Sequence, residues 1–161
     1  MGRYEQALLC RRGHVINEYA TSQPQHNTKR CTECGAETIS LCPHCEQPIR
    51  GEYQVDAVLF AVSTYQPPAF CHECGTAYPW TTERLAAAKD LAAELDGLEP
   101  GERETLARSL DDILADTPTT PVAALRVKRL LAKGRGAAVQ VLRDVLVSLA
   151  SEGARRLIFG G

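Results

Sequence analysis

The hydrophobic pattern changes once along the chain. From Thr81 onward apolar residues recur at three- and four-residue spacing among Ala, Leu, Arg, Glu and Asp, the signature of amphipathic helices. Before that point no helical period is sustained. Short runs rich in Thr, Pro, Tyr, Gly and His alternate with cysteines, and none of the seven cysteines lies beyond Cys74. The pattern predicts an α+β chain with two regions, 1–80 and 81–161.

The ends of the helices carry their own signals. "TTERLAAAKDLAAELDG" offers Thr81 or Thr82 as N-cap, Glu83 in the first turn and Gly97 as a stop. "EPGERETLARSLDDILADTP" places Pro100 near a first turn and ends before Pro118. "TPVAALRVKRLLAKG" has Thr120 as cap, Pro121 at the first helical position and Gly134 past the end. In "GAAVQVLRDVLVSLASEGARRLIFGG", Ala138, Leu142, Val145, Leu146, Leu149 and Leu157 share one face, and Gly153 marks a close contact or a bend. Helices this short are marginal alone in water, so about four of them are expected to pack as a small antiparallel bundle.

The first region has a different logic. Three CxxC pairs occur, at Cys31/Cys34, Cys42/Cys45 and Cys71/Cys74. Each puts two thiolates on one side of a tight turn, at the separation tetrahedral zinc requires. Gly35 and Gly75 follow two of the pairs and suit the left-handed backbone of such a turn. With Cys10 the sulfur donors number seven, and two closed tetrahedral sites need eight. His14, in "CRRGH", is the nearest eighth donor; His26 competes but is paired with no cysteine by spacing. His44 and His72 fill variable positions inside CxxC turns. Sequential pairing gives Cys10, His14, Cys31 and Cys34 in one zinc site and Cys42, Cys45, Cys71 and Cys74 in the other. Each is then two knuckles joined by a connection that can form a β-hairpin, which is the zinc-ribbon plan. A cross-brace would join Cys10 and His14 to Cys42 and Cys45 instead. Sequential pairing closes shorter loops at lower entropy, but spacing leaves both open. In the second ribbon "GEYQV" and "AVLFAVSTY" supply strand-like residues.

These segments also carry a resemblance. "YEQALLCRRGHVIN", "CTECGAETISLCPHCEQPIRG", "PPAFCHECGTAYPW" and "SLDDILADTPTTPVAALRVKRLL" resemble a family of uncharacterised bacterial double zinc-ribbon proteins. The resemblance implies a zinc-binding N-terminal half in which all seven cysteines match, and the "CRRGH" match favours His14. It implies almost nothing about activity, because the family carries a domain-of-unknown-function label.

Catalytic signatures are sparse. A catalytic zinc keeps one coordination position open, whereas eight donors for two ions leave none. A zinc enzyme would follow only if His14 did not bind and left the first site with a vacancy. The chain has no GxSxG, HExxH or phosphate-cradling glycine loop. Asp111 and Asp112 are adjacent, so on a helix they point about 100° apart and form no acid–base pair.

Charge changes the picture only locally. The 161 residues carry a net charge of −2, which excludes a globally cationic nucleic-acid binder. Nine acids lie between Asp90 and Asp116, whereas 117–143 holds six basic residues and no acid. Arg126, Arg129 and Lys133 share a helical face and are the candidate partner-binding residues. The basic helix either packs beside the acidic one or meets an anionic partner. Arg11, Arg12, Lys29 and Arg30 flank the first knuckle. Tyr53, Phe60, Tyr65, Phe70, Tyr78 and Trp80 offer either base stacking or a ribbon core. Yet residues 1–80 hold six basic against eight acidic residues, poor electrostatics for a ribbon that holds nucleic acid unaided. The leading expectation is therefore a non-enzymatic adaptor that binds another protein, or a copy of itself through the helical region. A nucleic-acid-associated factor using the basic stretch 126–143 is the alternative.

No apolar run reaches the roughly 18 residues of a membrane span. The start "MGRYEQALLCRRGH" lacks the apolar core of a secretory signal, and Gln6 stands where a myristoylation site has Ser or Thr. The sequence reads as cytoplasmic, where cysteines stay reduced and serve metals rather than disulfides.

Overall fold

A computed structural model describes residues 2–55 and 65–160. The chain divides into two compact units, Met1–Thr82 and Glu83–Gly161.

The first unit is built on short strands. β1 (Arg3–Gln6) pairs antiparallel with β5 (Arg50–Gln54), with Tyr4 opposite Tyr53. β2 (Leu8–Cys10) lies between β3 (Val15–Asn17) and β4 (Thr38–Ile39), both antiparallel to it. The run Ala7–Cys10 is apolar at every position and is buried throughout, as a central strand requires. "GEYQV" falls largely on β5, but its described partner is β1, near the start of the sequence. The expected strand "AVLFAVSTY" falls on residues 57–65, of which 57–64, including Phe60, lie outside the described residues.

The core of this unit is small: Ala7, Leu9, Ile49, Tyr78 and Trp80, together with the thiols of Cys42 and Cys71. Tyr78 and Trp80 stack with ring centroids 4.6 Å apart, and the Trp80 indole N–H donates to the Pro68 carbonyl at 2.9 Å. Two of the aromatics considered for base stacking are therefore core residues. Tyr53 stays exposed, against Tyr4 at 4.8 Å.

The second unit is helical: α1 (Pro79–Ala93), whose first turn belongs to the first unit, α2 (Pro100–Asp112), α3 (Thr120–Lys133), α4 (Ala137–Leu149) and α5 (Glu152–Phe159). α3 packs against α2 and α5. α1 begins at Pro79, ahead of the threonines expected to cap it. Proline is preorganised for a first turn, and the Thr81 and Thr82 hydroxyls donate to the carbonyls of Ala69 and Tyr78 instead of capping. α2 starts with a reciprocal capping box between Glu99 and Glu102.

The final helical stretch is two helices, which makes five α-helices among the described residues. Ala150 is extended, and the Ser151 side chain accepts the Ala154 N–H at 3.3 Å to start α5. Apolar periodicity hid this break because Leu149, Ala154 and Ile158 are buried on both sides of it. Gly153 is a close contact: a Cβ there would collide with the Asp116 carboxylate, which accepts the Ser151 hydroxyl at 2.7 Å.

Candidate metal centres

The three CxxC turns fold identically. In each, the first cysteine's carbonyl accepts the N–H of the residue four positions on, at 2.9–3.0 Å: Gly35 to Cys31, Glu46 to Cys42, Gly75 to Cys71. The same cysteine's N–H donates to the residue five positions on: Ala36, Gln47 and Thr76. One antiparallel bridge closes each turn, at Arg30–Glu37, Leu41–Pro48 and Phe70–Ala77. The residue after the second cysteine is left-handed every time, with φ of 70° at Gly35, 60° at Glu46 and 69° at Gly75. Glutamate thus occupies a conformation in which glycine is the unstrained residue. "CRRGH" makes a turn one residue shorter, with Gly13 at φ 88°. There the Gly13 N–H donates to the Cys10 carbonyl and the His14 N–H to Cys10 Sγ at 3.3 Å.

Strand pairing brings the first four donors together. β2 ends at Cys10, and its pairing with β4 sets Leu9 opposite Ile39 and Cys10 opposite Thr38. β4 follows the Cys31/Cys34 turn directly, so the two turns meet. Arg11 reinforces the seam, its N–H on the Glu37 carbonyl at 3.0 Å and its guanidinium on the Glu37 carboxylate at 3.2 Å. The other four donors meet through packing, since Cys42 and Cys71 are part of the Tyr78–Trp80 core.

The result is two groups, Cys10/His14/Cys31/Cys34 and Cys42/Cys45/Cys71/Cys74, each with its donor atoms within 4.8 Å of one another. The groups follow chain order and are not interleaved. Cys10 Sγ lies 3.7 Å from Cys34 Sγ, while His14 Nδ1 lies 3.4 Å from Cys10 Sγ and 3.5 Å from Cys31 Sγ. In the second group Cys42–Cys74 and Cys45–Cys71 are 3.8 and 3.6 Å apart. Metal bonds of about 2.3 Å to sulfur and about 2.0 Å to nitrogen imply tetrahedral edges of about 3.8 Å S···S and about 3.5 Å S···N. Both groups fit zinc.

Neighbouring residues condition the donors. His14 Nε2 points at the Glu33 carboxylate, 3.6 Å away, which favours Nδ1 as the free donor. Spacing did not single out Glu33, although its place inside the CxxC turn sets it beside the ligands. The Thr76 hydroxyl and backbone N–H bring the Cys74 thiol down to about 5. Burial pushes the Cys31 thiol up, but the Cys34 and Glu33 N–H groups and two neighbouring thiols outweigh it and bring it to about 7. At Cys45 the Gln47 N–H lowers the thiol, yet burial and three crowded thiols win and push it up to about 12. Four thiols at van der Waals separation cannot all ionise unaided, and a dication relieves that conflict.

The remaining histidines lie elsewhere. His26 is exposed in a single 3-10 turn, Pro24–His26, and belongs to neither group. His72 meets Glu73 at 3.6 Å.

A family described as uncharacterized proteins conserved in bacteria (DUF2321) has a sequence pattern that matches residues 3–158. The chain belongs to that family. Comparison with curated proteins and with solved structures gives no match. The span shared with DUF2321 takes in all eight donors and parts of both units.

In the helical unit of this DUF2321 member the acidic and basic stretches meet at one ion pair, Lys133 to Glu102 at 2.7 Å between α3 and α2. Lys89 holds Asp111 at 2.8 Å. Arg126, Lys128 and Arg129 are exposed on α3 and form no ion pair among the described residues. Of the three candidate partner-binding residues, Lys133 pairs directly with Glu102, Arg129 acts on that carboxylate through space, and Arg126 has no ion pair among the described residues. Among the described residues no helix is long and apolar enough to cross a membrane.

Proposed function

We propose that this protein is a non-enzymatic adaptor whose two donor sets hold structural zinc. The observation that carries the reading is closure: each set brings four N/S donors within 4.8 Å of one another, the nearest pairs at tetrahedral edge lengths, and four protein donors fill a tetrahedral site. Zinc then supplies folding energy to a unit that has little apolar core.

The solvent face of α3 is the surface offered to a partner. Val122 and Leu125 are more than half exposed there, beside the exposed cations Arg126, Lys128 and Arg129. Aliphatic side chains gain from a protein partner and little from a phosphate backbone, which favours the adaptor. The exposed cations favour the alternative, a nucleic-acid-associated factor, and salt separates the two. Binding through phosphates falls steeply with salt, whereas apolar association does not.

The test is a tagged pull-down from the native host, with and without nuclease, repeated with Arg126→Glu/Arg129→Glu. The adaptor reading expects a protein partner that survives nuclease and moderate salt and is lost with charge reversal. Recovery of nucleic acid, with protein lost on digestion, would overturn it. The metal reading has its own check. His14→Ala should weaken one of two bound zinc ions while His26→Ala leaves both, and the reverse outcome moves the donor to His26.

A further inference from the structure

The three CxxC turns are alike beyond their cysteines, but one equivalent position carries three different side chains. Seven residues after the first cysteine stand Thr38, Ile49 and Tyr78. Each donates its N–H to the carbonyl two residues before that cysteine, Lys29, Ser40 and Ala69 in turn, at 2.9–3.3 Å. The Thr38 hydroxyl donates to the Thr28 carbonyl at 2.6 Å. Ile49 is apolar and fully buried. Tyr78 is as deep, 1% exposed, yet it carries a hydroxyl into the core. That oxygen has no hydrogen-bond partner; among the described residues Arg103 Nε is the other buried side-chain atom of this kind. An enclosed donor without an acceptor is destabilising, and Ile49 shows that the turn does not require one. Two observations say what the hydroxyl faces. Tyr78 packs in the cluster that contains Cys42 and Cys71, one from each turn of the second donor set. Burial, then the Cys71 thiol and after it Cys42, push the phenol above its ordinary value. Stacking on Trp80 at 4.6 Å holds the ring there. A neutral thiol is a weak acceptor, whereas a metal-bound thiolate is a charged and strong one.

We infer that the Tyr78 hydroxyl donates a hydrogen bond to the Cys71 thiolate when the second donor set holds its metal, and that this contact strengthens the site. This rests on the reading that both sets hold zinc. The phenol stays protonated and does not coordinate. It draws charge from the Cys71 sulfur and so eases the repulsion among four crowded thiolates. The same bond gives the buried hydroxyl the acceptor it otherwise lacks, so metal and core stabilise one another. Tyr78 is a positioning residue for the metal, acting through Cys71.

The test compares the full chain with Tyr78→Phe, which keeps the ring on Trp80 and removes only the hydroxyl. Competition with a chromogenic chelator reads zinc affinity. Cobalt loading reads the sulfur-to-metal charge-transfer bands, which tell a four-thiolate site from one with three thiolates and an imidazole. The variant should hold metal at Cys42/Cys45/Cys71/Cys74 at least about tenfold more weakly, with Cys10/His14/Cys31/Cys34 unchanged. Its four-thiolate cobalt bands should move to lower energy, because a thiolate that loses a hydrogen bond gives up its electron more easily. Unchanged affinity, a loss confined to the first set, or a weakened second set with unmoved bands would each overturn the inference alone. The last of these would leave packing as the whole role of the residue. Should Tyr78→Phe fail to fold, the parent chain decides. Loaded with NMR-active cadmium, its Tyr78 hydroxyl proton should exchange slowly and couple to the metal through the sulfur; a fast-exchanging, uncoupled proton would overturn the inference. Fewer than two zinc ions on the parent chain would overturn the metal reading, and this inference with it.

Discussion

The two units of this chain solve the same problem with different materials. Among the described residues the helical unit gathers seventeen buried side chains into one apolar cluster, drawn from all five helices and the turns between them. The ribbon unit gathers seven, and two of those are cysteines of a donor set. A helical hairpin buries an apolar face against its neighbour, so its stability grows with each leucine it covers. Short strands of two to five residues cannot do that, and their turns instead gather eight N/S donors into two sets that fit a metal ion. Where apolar area is scarce, a bound metal would do the work of a core, as the proposed function has it.

Removing the metal should break the comparison most visibly. Chelation with a strong zinc ligand is expected to unfold the ribbon unit, because a structural zinc site contributes on the order of 10 kcal/mol. Trp80 sits in that unit's core, so its fluorescence reports the loss, while helical circular dichroism persists. Simultaneous loss of both signals would mean that the units do not fold separately.

The converse experiment truncates the helical core. Leu131 on α3 is buried, and Leu131→Ala should cost about 2–5 kcal/mol. The expected result is a lower helical melting midpoint with zinc content unchanged; a fall in bound zinc would contradict the division of labour.

A finer test compares the turns themselves. Glu46 holds φ 60° where Gly35 and Gly75 hold 70° and 69°. Glu46→Gly should stabilise the ribbon by about 0.5–1 kcal/mol, and Gly35→Ala should destabilise it by about 1 kcal/mol. Nothing lies within 4 Å of a Cβ at Gly35, so that cost is conformational and not steric. Denaturant titration of the zinc-loaded chain measures both; a destabilised Glu46→Gly would show that the glutamate side chain contributes more than its backbone strain costs.

The smallest effect is electrostatic. Lys133, with the Glu99 N–H, holds the Glu102 carboxyl below the usual carboxylate range. A depressed folded value means stability that is present above the unfolded value and lost as pH falls through the folded one. Glu102→Gln should therefore flatten the acid limb of helical stability slightly and leave neutral pH almost unchanged. The pair is solvent-exposed, and an identical acid limb in the variant would assign it no role.

Legibility in the sequence followed the range of the interactions. The CxxC turns and the prolines at or near helix starts are local, and each is set by a handful of adjacent dihedrals. The α4–α5 break at Ala150–Ser151 was concealed because the buried face continues across it, while the cap that makes it is a single serine. The start of α1 at Pro79 was missed because Thr81 and Thr82 look like caps in isolation, yet their hydroxyls are claimed by carbonyls at Ala69 and Tyr78. Charge patterning named the basic helix, but only packing showed that Lys133 is the residue that pairs directly with Glu102.

By itself the sequence determined the donor types, their spacing in turns and the division into a cysteine-rich region and a helical one. Those features depend on side-chain chemistry and short-range backbone geometry. Tertiary structure decided which turns share a donor set and that β5 lies beside β1. Such outcomes depend on closing loops of tens of residues and packing the result against a small core. That free energy belongs to the folded whole, and no short stretch of the chain contains it.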